Sequence, residues 1–177
     1  MGTVAKVVRI LEMPDNSTTV ILEGKKRLRL GEQVAAKPYM KAKVYLLDES
    51  TPEESNEGVF QALVSSIKDL ATNIVNNSGI MPLETSFAIK NIENPFFLIN
   101  YVCANFGLNV KEKIRLLETD EIMERGYQLL ELLNKESQLL ELKMSIQNKA
   151  REGIDQQQRE YFLQQQMKTI QNELGGS

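Results

Sequence analysis

At 177 residues, with 42% apolar but only 6% aromatic side chains and no tryptophan, the chain suits one domain or one and a half, packed through Leu, Ile, Val and Met. It has no histidine, no phosphate loop of the GxxxxGK(S/T) or GxGxxG type, and no long apolar run. These absences argue against His-based nucleophile pairs and zinc sites, nucleotide cradles and helical membrane spans. The net charge of −3 hides a gradient, with residues 1–48 basic, residues 49–110 acidic and the remainder near balance.

The first 48 residues read as strands. Val4, Val7, Val8, Ile10 and Leu11 are β-branched or apolar, and Pro14-Asp15-Asn16-Ser17 is a turn signal. Thr18–Glu23 resumes the β-branched run, so a hairpin is expected with Gly2–Leu11. Arg27-Leu28-Arg29-Leu30 alternates strictly, and Met40–Leu47 follows Pro38, giving about four strands in all. A sheet this small, entered directly at a strand, is expected to be incomplete at its N-terminal edge. The apolar positions Val20, Ile21, Leu22 and Val44 to Leu47 read mostly as core, because alternating strands bury one face. The basic cluster Lys25, Lys26, Arg27 and Arg29 has no stacking aromatics beside it, and a solvated sheet edge is preferred over a phosphate track.

Residues 49–56 form an acidic linker containing Ser and Pro. From Glu57 the period lengthens, and Phe60, Leu63, Ile67, Leu70 and Ile74 mark one helical stripe that stops at Asn76-Asn77-Ser78-Gly79. A short helix is expected over Leu83–Ile92. Asn94-Pro95 supplies a cap and a first-turn proline for Phe96–Phe106, and Asn109 caps another helix to about Glu118. Residues 57–118 thus describe a compact bundle. Cys103, the single cysteine, lies in an apolar run and reads as a buried structural thiol in a reducing cytoplasm.

Residues 119–177 contain no proline, and one helix to Leu174 would be about 80 Å long. Such a helix must project from a domain of this size. Leu129, Leu130, Leu132, Leu133, Leu139, Leu140 and Leu142 are expected to pack on the bundle. Gly153, beside a polar stretch, marks a point where the helix could bend or split. Beyond it Leu163, Met167, Ile170 and Leu174 repeat at the 4-3-4 spacing of a coiled-coil seam, which needs a partner. The fold class is α+β: a small, incomplete antiparallel β domain, a helical bundle and a long projecting C-terminal helix.

Two stretches carry a family resemblance. Residues 158–175, QREYFLQQQMKTIQNELG, are similar to the QREYxLxEQMKAIQKELG stretch of bacterial Lon proteases, departing at Gln165, Thr169 and Asn172. Gly2-Thr3-Val4-Ala5, Pro14-Asp15 and Leu22-Glu23-Gly24-Lys25-Lys26-Arg27 resemble the strand pattern of the same family, with Asn16 in place of its turn glycine. The resemblance implies the N-terminal region of an ATP-dependent protease that degrades unfolded or damaged proteins. In that family it is followed by an AAA+ ATPase domain, which would take ATP and Mg, and by a Ser-Lys protease domain, assembled as a homohexamer. It also implies substrate recognition and oligomer assembly for this region, with no catalytic residue, cofactor or metal of its own, so the chain itself is not expected to be an enzyme.

Tyr161, Phe162 and Met167 are the first candidates for client contact, since two aromatics beside a flexible thioether can adapt to many unfolded sequences. Leu163 and Ile170 read rather as contacts to a neighbouring helix, and self-association is expected alongside binding of unfolded or damaged clients. A purely structural coiled-coil module is the alternative, with nucleic-acid binding through Lys25–Arg29 more remote.

Overall fold

The computed structural model describes residues 1–175. Three antiparallel strands, β1 (Gly2–Glu12), β2 (Thr18–Ala35) and β3 (Lys41–Leu46), form a sheet in the order β1-β2-β3. The first connection is the turn that the sequence signals. Met13 N–H donates to the Ser17 carbonyl at 2.8 Å, and Asn16 takes the left-handed conformation at φ 62°. Asp15 Oδ1 accepts from the Ser17 hydroxyl at 2.6 Å and from its backbone N–H at 3.0 Å. These bonds, the hydroxyl's first, hold the Asp15 carboxyl below its ordinary range.

The expectation of about four strands is corrected to three. Thr18–Glu23 and Arg27–Leu30 belong to one continuous strand, because the interruption between them is absorbed as a bulge. Val4 pairs with Lys26 and Ala5 with Gly24, which leaves Lys25 as the extra residue. A second irregularity lies between Leu30 and Gln33. There Gly31 is needed, since a Cβ would meet the Tyr45 ring at 2.9 Å.

The sheet faces also depart from expectation. Val20, Ile21, Leu22, Val44, Tyr45 and Leu46 are exposed, as are Val7, Val8 and Ile10. A sheet buries a face only against a second layer, and no such layer covers these strands among the described residues. Only Arg27 and Leu28 of the sheet are buried.

After a turn of 3-10 helix at Glu54–Asn56, five helices follow: α1 (Glu57–Ser78), α2 (Leu83–Asn91), α3 (Pro95–Asn105), α4 (Val110–Glu118) and α5 (Ile122–Leu174). Their ends are set by local chemistry. Gly79 closes α1 in the left-handed conformation at φ 64°. Asn94 caps α3 by accepting the Phe97 N–H at 2.9 Å, with Pro95 in the first turn. Asn109 and Glu112 form a reciprocal capping box on α4.

The core lies among α1, α3 and α5, with Ile89 and Leu116 added from α2 and α4. Phe60, Leu63, Ile67, Ile74 and Val75 of α1 face Leu98, Ile99 and Val102 of α3 and Ile122, Leu129 and Leu133 of α5. Gly126 of α5 permits the close approach, because a Cβ there would meet Leu63 Cδ2 at 2.8 Å and Ile99 Cδ1 at 3.6 Å.

The packing of α5 ends sooner than the leucine pattern implies. Leu129 and Leu133 are fully buried, and Leu130, Leu132 and Leu140 are partly so, but Leu139 and Leu142 are exposed. The cause is length: α1, its main partner, spans about 33 Å, and α5 runs past it. Every described residue from 141 onward is exposed, a projection of about 50 Å. The helix continues through Gly153 without a break.

These two glycines should respond oppositely to alanine. Gly126→Ala gains helix propensity but forces a methyl into the packed core, and a net loss of about 1–2 kcal/mol is expected. Gly153 has open space around it, so Gly153→Ala should raise helicity and stabilise by up to about 1 kcal/mol. Urea titration followed by circular dichroism measures both.

Candidate functional site

Sheet and bundle meet at a polar junction built around Glu49, a residue of the acidic connection. Arg27, buried on β2, donates from Nε to Glu49 Oε1 at 3.2 Å. Its Nη1 donates to the carbonyls of Leu117 at 3.0 Å and Thr119 at 3.1 Å and lies 3.4 Å from Asp120 Oδ1. Arg125 of α5 is only 1% exposed. It donates from Nη1 to Glu49 Oε2 at 3.1 Å and to Asn100 Oδ1 at 3.1 Å. From Nε and Nη2 it reaches the Thr119 carbonyl at 3.1 and 2.8 Å.

One carboxylate therefore serves two guanidiniums. The remaining acceptors are the carbonyls where α4 ends, the negative pole of that helix. Burial pushes the Arg125 guanidinium below its ordinary pKa, with the Glu49 carboxylate opposing the shift and Arg27 adding to it.

Sequence reasoning missed this junction. Glu49 looks like one more solvated linker acid. Arg125, however, interrupts the apolar stripe Ile122, Gly126, Leu129 and Leu133, and a lone cation on a core-facing stripe is a legible sign of a buried pair.

The basic cluster is also repositioned. β2 is the central strand, so Lys25–Arg29 is not the sheet edge that was expected. Lys25 pairs with Glu23, Lys26 with Asp48 at 2.6 Å, Arg27 with Glu49 and Asp120, and Arg29 with Asp120 at 3.3 Å. A phosphate backbone would have to displace each of these carboxylates.

Beside the junction an open groove of about 680 Å³ runs between β2 and α3. Leu22 and the Lys25 bulge lie on one wall, and Phe97, Tyr101 and Lys113 on the other. Cys103 also lines it, partly buried. Burial pushes its thiol up to about 12, a thiol held protonated at neutral pH and suited to packing rather than attack.

On the projecting part of α5 the proposed contact residues Tyr161, Phe162, Leu163, Met167 and Ile170 are all exposed, between 53% and 65%. At about 100° per residue, Leu163, Met167, Ile170 and Leu174 share one stripe, and Phe162 lies outside it, about 140° around the helix from Met167. Tyr161 lies on the opposite side, above Ile154 one heptad earlier. The helix thus brings Leu163, Met167 and Ile170 together with Leu174, but separates both Tyr161 and Phe162 from Met167.

The model of the ATP-dependent protease La (LON) substrate-binding domain matches residues 1–135. The chain belongs to the Lon substrate-binding domain family. It is 52% identical over 99% of its length to a Lon protease of Flavobacterium johnsoniae and 45% identical over its full length to one of Porphyromonas gingivalis. The chain spans about a fifth (21%) of each of these relatives. The N terminal domain of Mycobacterium avium complex Lon protease shares its fold, with a TM-score of 0.63 at 20% identity, over 75% of this chain and 69% of that one. The α+β class and the family resemblance of the sequence both hold. No helix among the described residues is long and apolar enough to cross a membrane.

Two measurements probe this Lon-family junction. Glu49→Ala should cost about 2–3 kcal/mol in urea unfolding, less than a fully buried pair because Glu49 keeps 29% exposure. Glu49→Gln, which retains an acceptor, should cost less. At pH 8, alkylation of Cys103 by iodoacetamide should be roughly a hundredfold or more slower in the native chain than in urea, where the thiol regains its ordinary acidity.

Proposed function

We propose that this chain recognises client proteins and supports oligomer assembly for an ATP-dependent Lon-type protease that degrades unfolded or damaged proteins in the cytoplasm. The ATP, Mg and catalytic serine–lysine chemistry belong, on this reading, to the parts of such a protease outside the fifth (21%) of its relatives' length that this chain spans. The observation that carries the reading is the apolar stripe on α5, more than half exposed along a helix that projects about 50 Å beyond its bundle. Apolar surface of that extent favours a partner.

Two partners fit different parts of the stripe. The 4-3-4 repeat of Leu163, Met167, Ile170 and Leu174 suits a second helix, and therefore another copy of the chain. Phe162, outside the seam, and the flexible thioether of Met167 suit an unfolded segment, whose ordering would offset part of the contact energy and keep binding weak and sequence-tolerant. Tyr161, on the opposite side, would extend contact to a client that wraps the helix.

Substitutions separate these roles. Phe162→Ser with Met167→Ser should weaken capture of a denatured fluorescent client by roughly five- to tenfold, as loss of central apolar contacts does, while the thermal transition of the bundle stays in place. Leu163→Asp with Ile170→Asp should lower the mass measured by light scattering. Undiminished client capture by the first variant would remove Phe162 and Met167 from the reading. Absence of client binding by the unsubstituted chain would leave a structural coiled-coil module.

A further inference from the structure

We infer that the groove between β2 and α3 is a second peptide site, selective for extended segments that place a carboxylate beside an aromatic or large apolar residue. The inference rests on client recognition as proposed above and adds a chemical preference that the α5 stripe lacks.

Shape and lining support it first. The groove is open along one side, and its volume lies within the usual range for sites that hold a few side chains. Phe97 is 57% exposed although it sits in the first turn of α3, next to the fully buried Leu98 and Ile99. Its ring lies 6.0 Å from that of Tyr101, one turn further on, and together they form an aromatic shelf. Leu22, also exposed, faces the shelf from the sheet. An apolar side chain laid between them would be covered on two sides.

Charge then selects among apolar segments. Of the five cations on the lining, Lys25 is paired with Glu23, Lys26 with Asp48, Arg27 with Glu49 and Asp120, and Arg125 with Glu49. The selecting charge is therefore the fifth, Lys113. Lys113 donates to the Ala104 carbonyl at 2.7 Å and has no carboxylate partner among the described residues. Half-buried at the groove wall, it offers its remaining donors to an incoming anion. A lysine or arginine in the occupant would meet like charge at the same place.

The placing of the lining favours an extended occupant. The groove is lined from Thr3 and Leu22 on the sheet to Lys113 on α4, and an extended segment, whose alternate side chains point to opposite sides, can set one on the aromatic shelf and another beside Lys113.

The test uses the whole chain and short labelled peptides read by fluorescence anisotropy. One peptide carries a Phe-Leu-Asp-Phe-Asp core, a second replaces Asp by Lys, and a third replaces Phe by Ser. The acidic aromatic peptide should bind about fivefold tighter than the lysine version, the ratio expected from one partly shielded ion pair. The ratio should fall toward one as salt is raised. Phe97→Ser should weaken binding about tenfold. Lys113→Gln should abolish the acidic preference and Lys113→Glu reverse it, with circular dichroism confirming that both variants fold.

Equal binding of acidic and basic peptides overturns the proposal, as does undiminished binding in both Phe97→Ser and Lys113→Gln. Displacement of the acidic peptide by a single-stranded oligonucleotide overturns it too, by showing a general anion surface. Capture of a denatured client is measured in parallel. Capture that persists while no peptide binds defeats the groove alone, whereas loss of both defeats the client reading as well.

Discussion

A single carboxylate, Glu49, fixes how the sheet of this Lon-family chain stands on its helices. It accepts from Arg27 on the central strand and from Arg125 on the long helix, and neither guanidinium has solvent to turn to. Among the described residues, every hydrogen bond from the sheet to the helices starts from Arg27 or Arg29. Burying two like charges beside one acid is unfavourable unless further acceptors complete their shells. The carbonyls of Leu117, Thr119 and Asp120, left without helical partners where α4 ends, do so. The junction therefore depends on α4 stopping at Glu118 and on α5 starting at Ile122.

The consequence is an uneven molecule. The bundle is a conventional apolar core, closed by α1, α3 and α5 with Gly126 letting two helices approach. The sheet has no comparable core of its own. Its stability rests on strand pairing, on Leu28, and on the polar anchor at Arg27, so the sheet's orientation and the shape of the groove beside it depend on one network of charged hydrogen bonds. Such networks are directional, and loss of a partner leaves a buried charge rather than a small void.

Much of this was legible in the sequence, for identifiable reasons. Helix boundaries were clear because caps are local: Asn94-Pro95, Asn109 with Glu112, and Gly79 announce themselves within a few residues. The hairpin turn was clear because Asn16 tolerates the left-handed conformation. The strand count failed because a bulge at Gly24-Lys25 and a break look alike when no partner strand is visible. Burial in the sheet failed because alternation implies a covered face without saying what covers it. Leu139 and Leu142 failed similarly, since periodicity along α5 does not reveal where α1 ends. Glu49 and Arg125, separated by 76 residues, were beyond any local signal. The α5 residues Tyr161, Phe162, Leu163, Met167 and Ile170 were recognisable as apolar, but only helical geometry divides them into a seam and an opposite side.

That division bears on how the projecting helix persists. From residue 141 onward α5 gains no tertiary burial, so its helicity rests on propensity and on side-chain pairs such as Gln156 with Glu160 at 3.3 Å. Pairs of that kind contribute only about 0.2–0.5 kcal/mol each. Gly153 costs about as much as two of them compared with alanine. A partner helix on the Leu163–Leu174 seam would supply the missing burial, and any ligand that binds only the helical form stabilises it by mass action. Occupancy of the seam and order in the helix are thus coupled. The bundle, whose core is complete without them, is insulated from that coupling by the length of α5 itself.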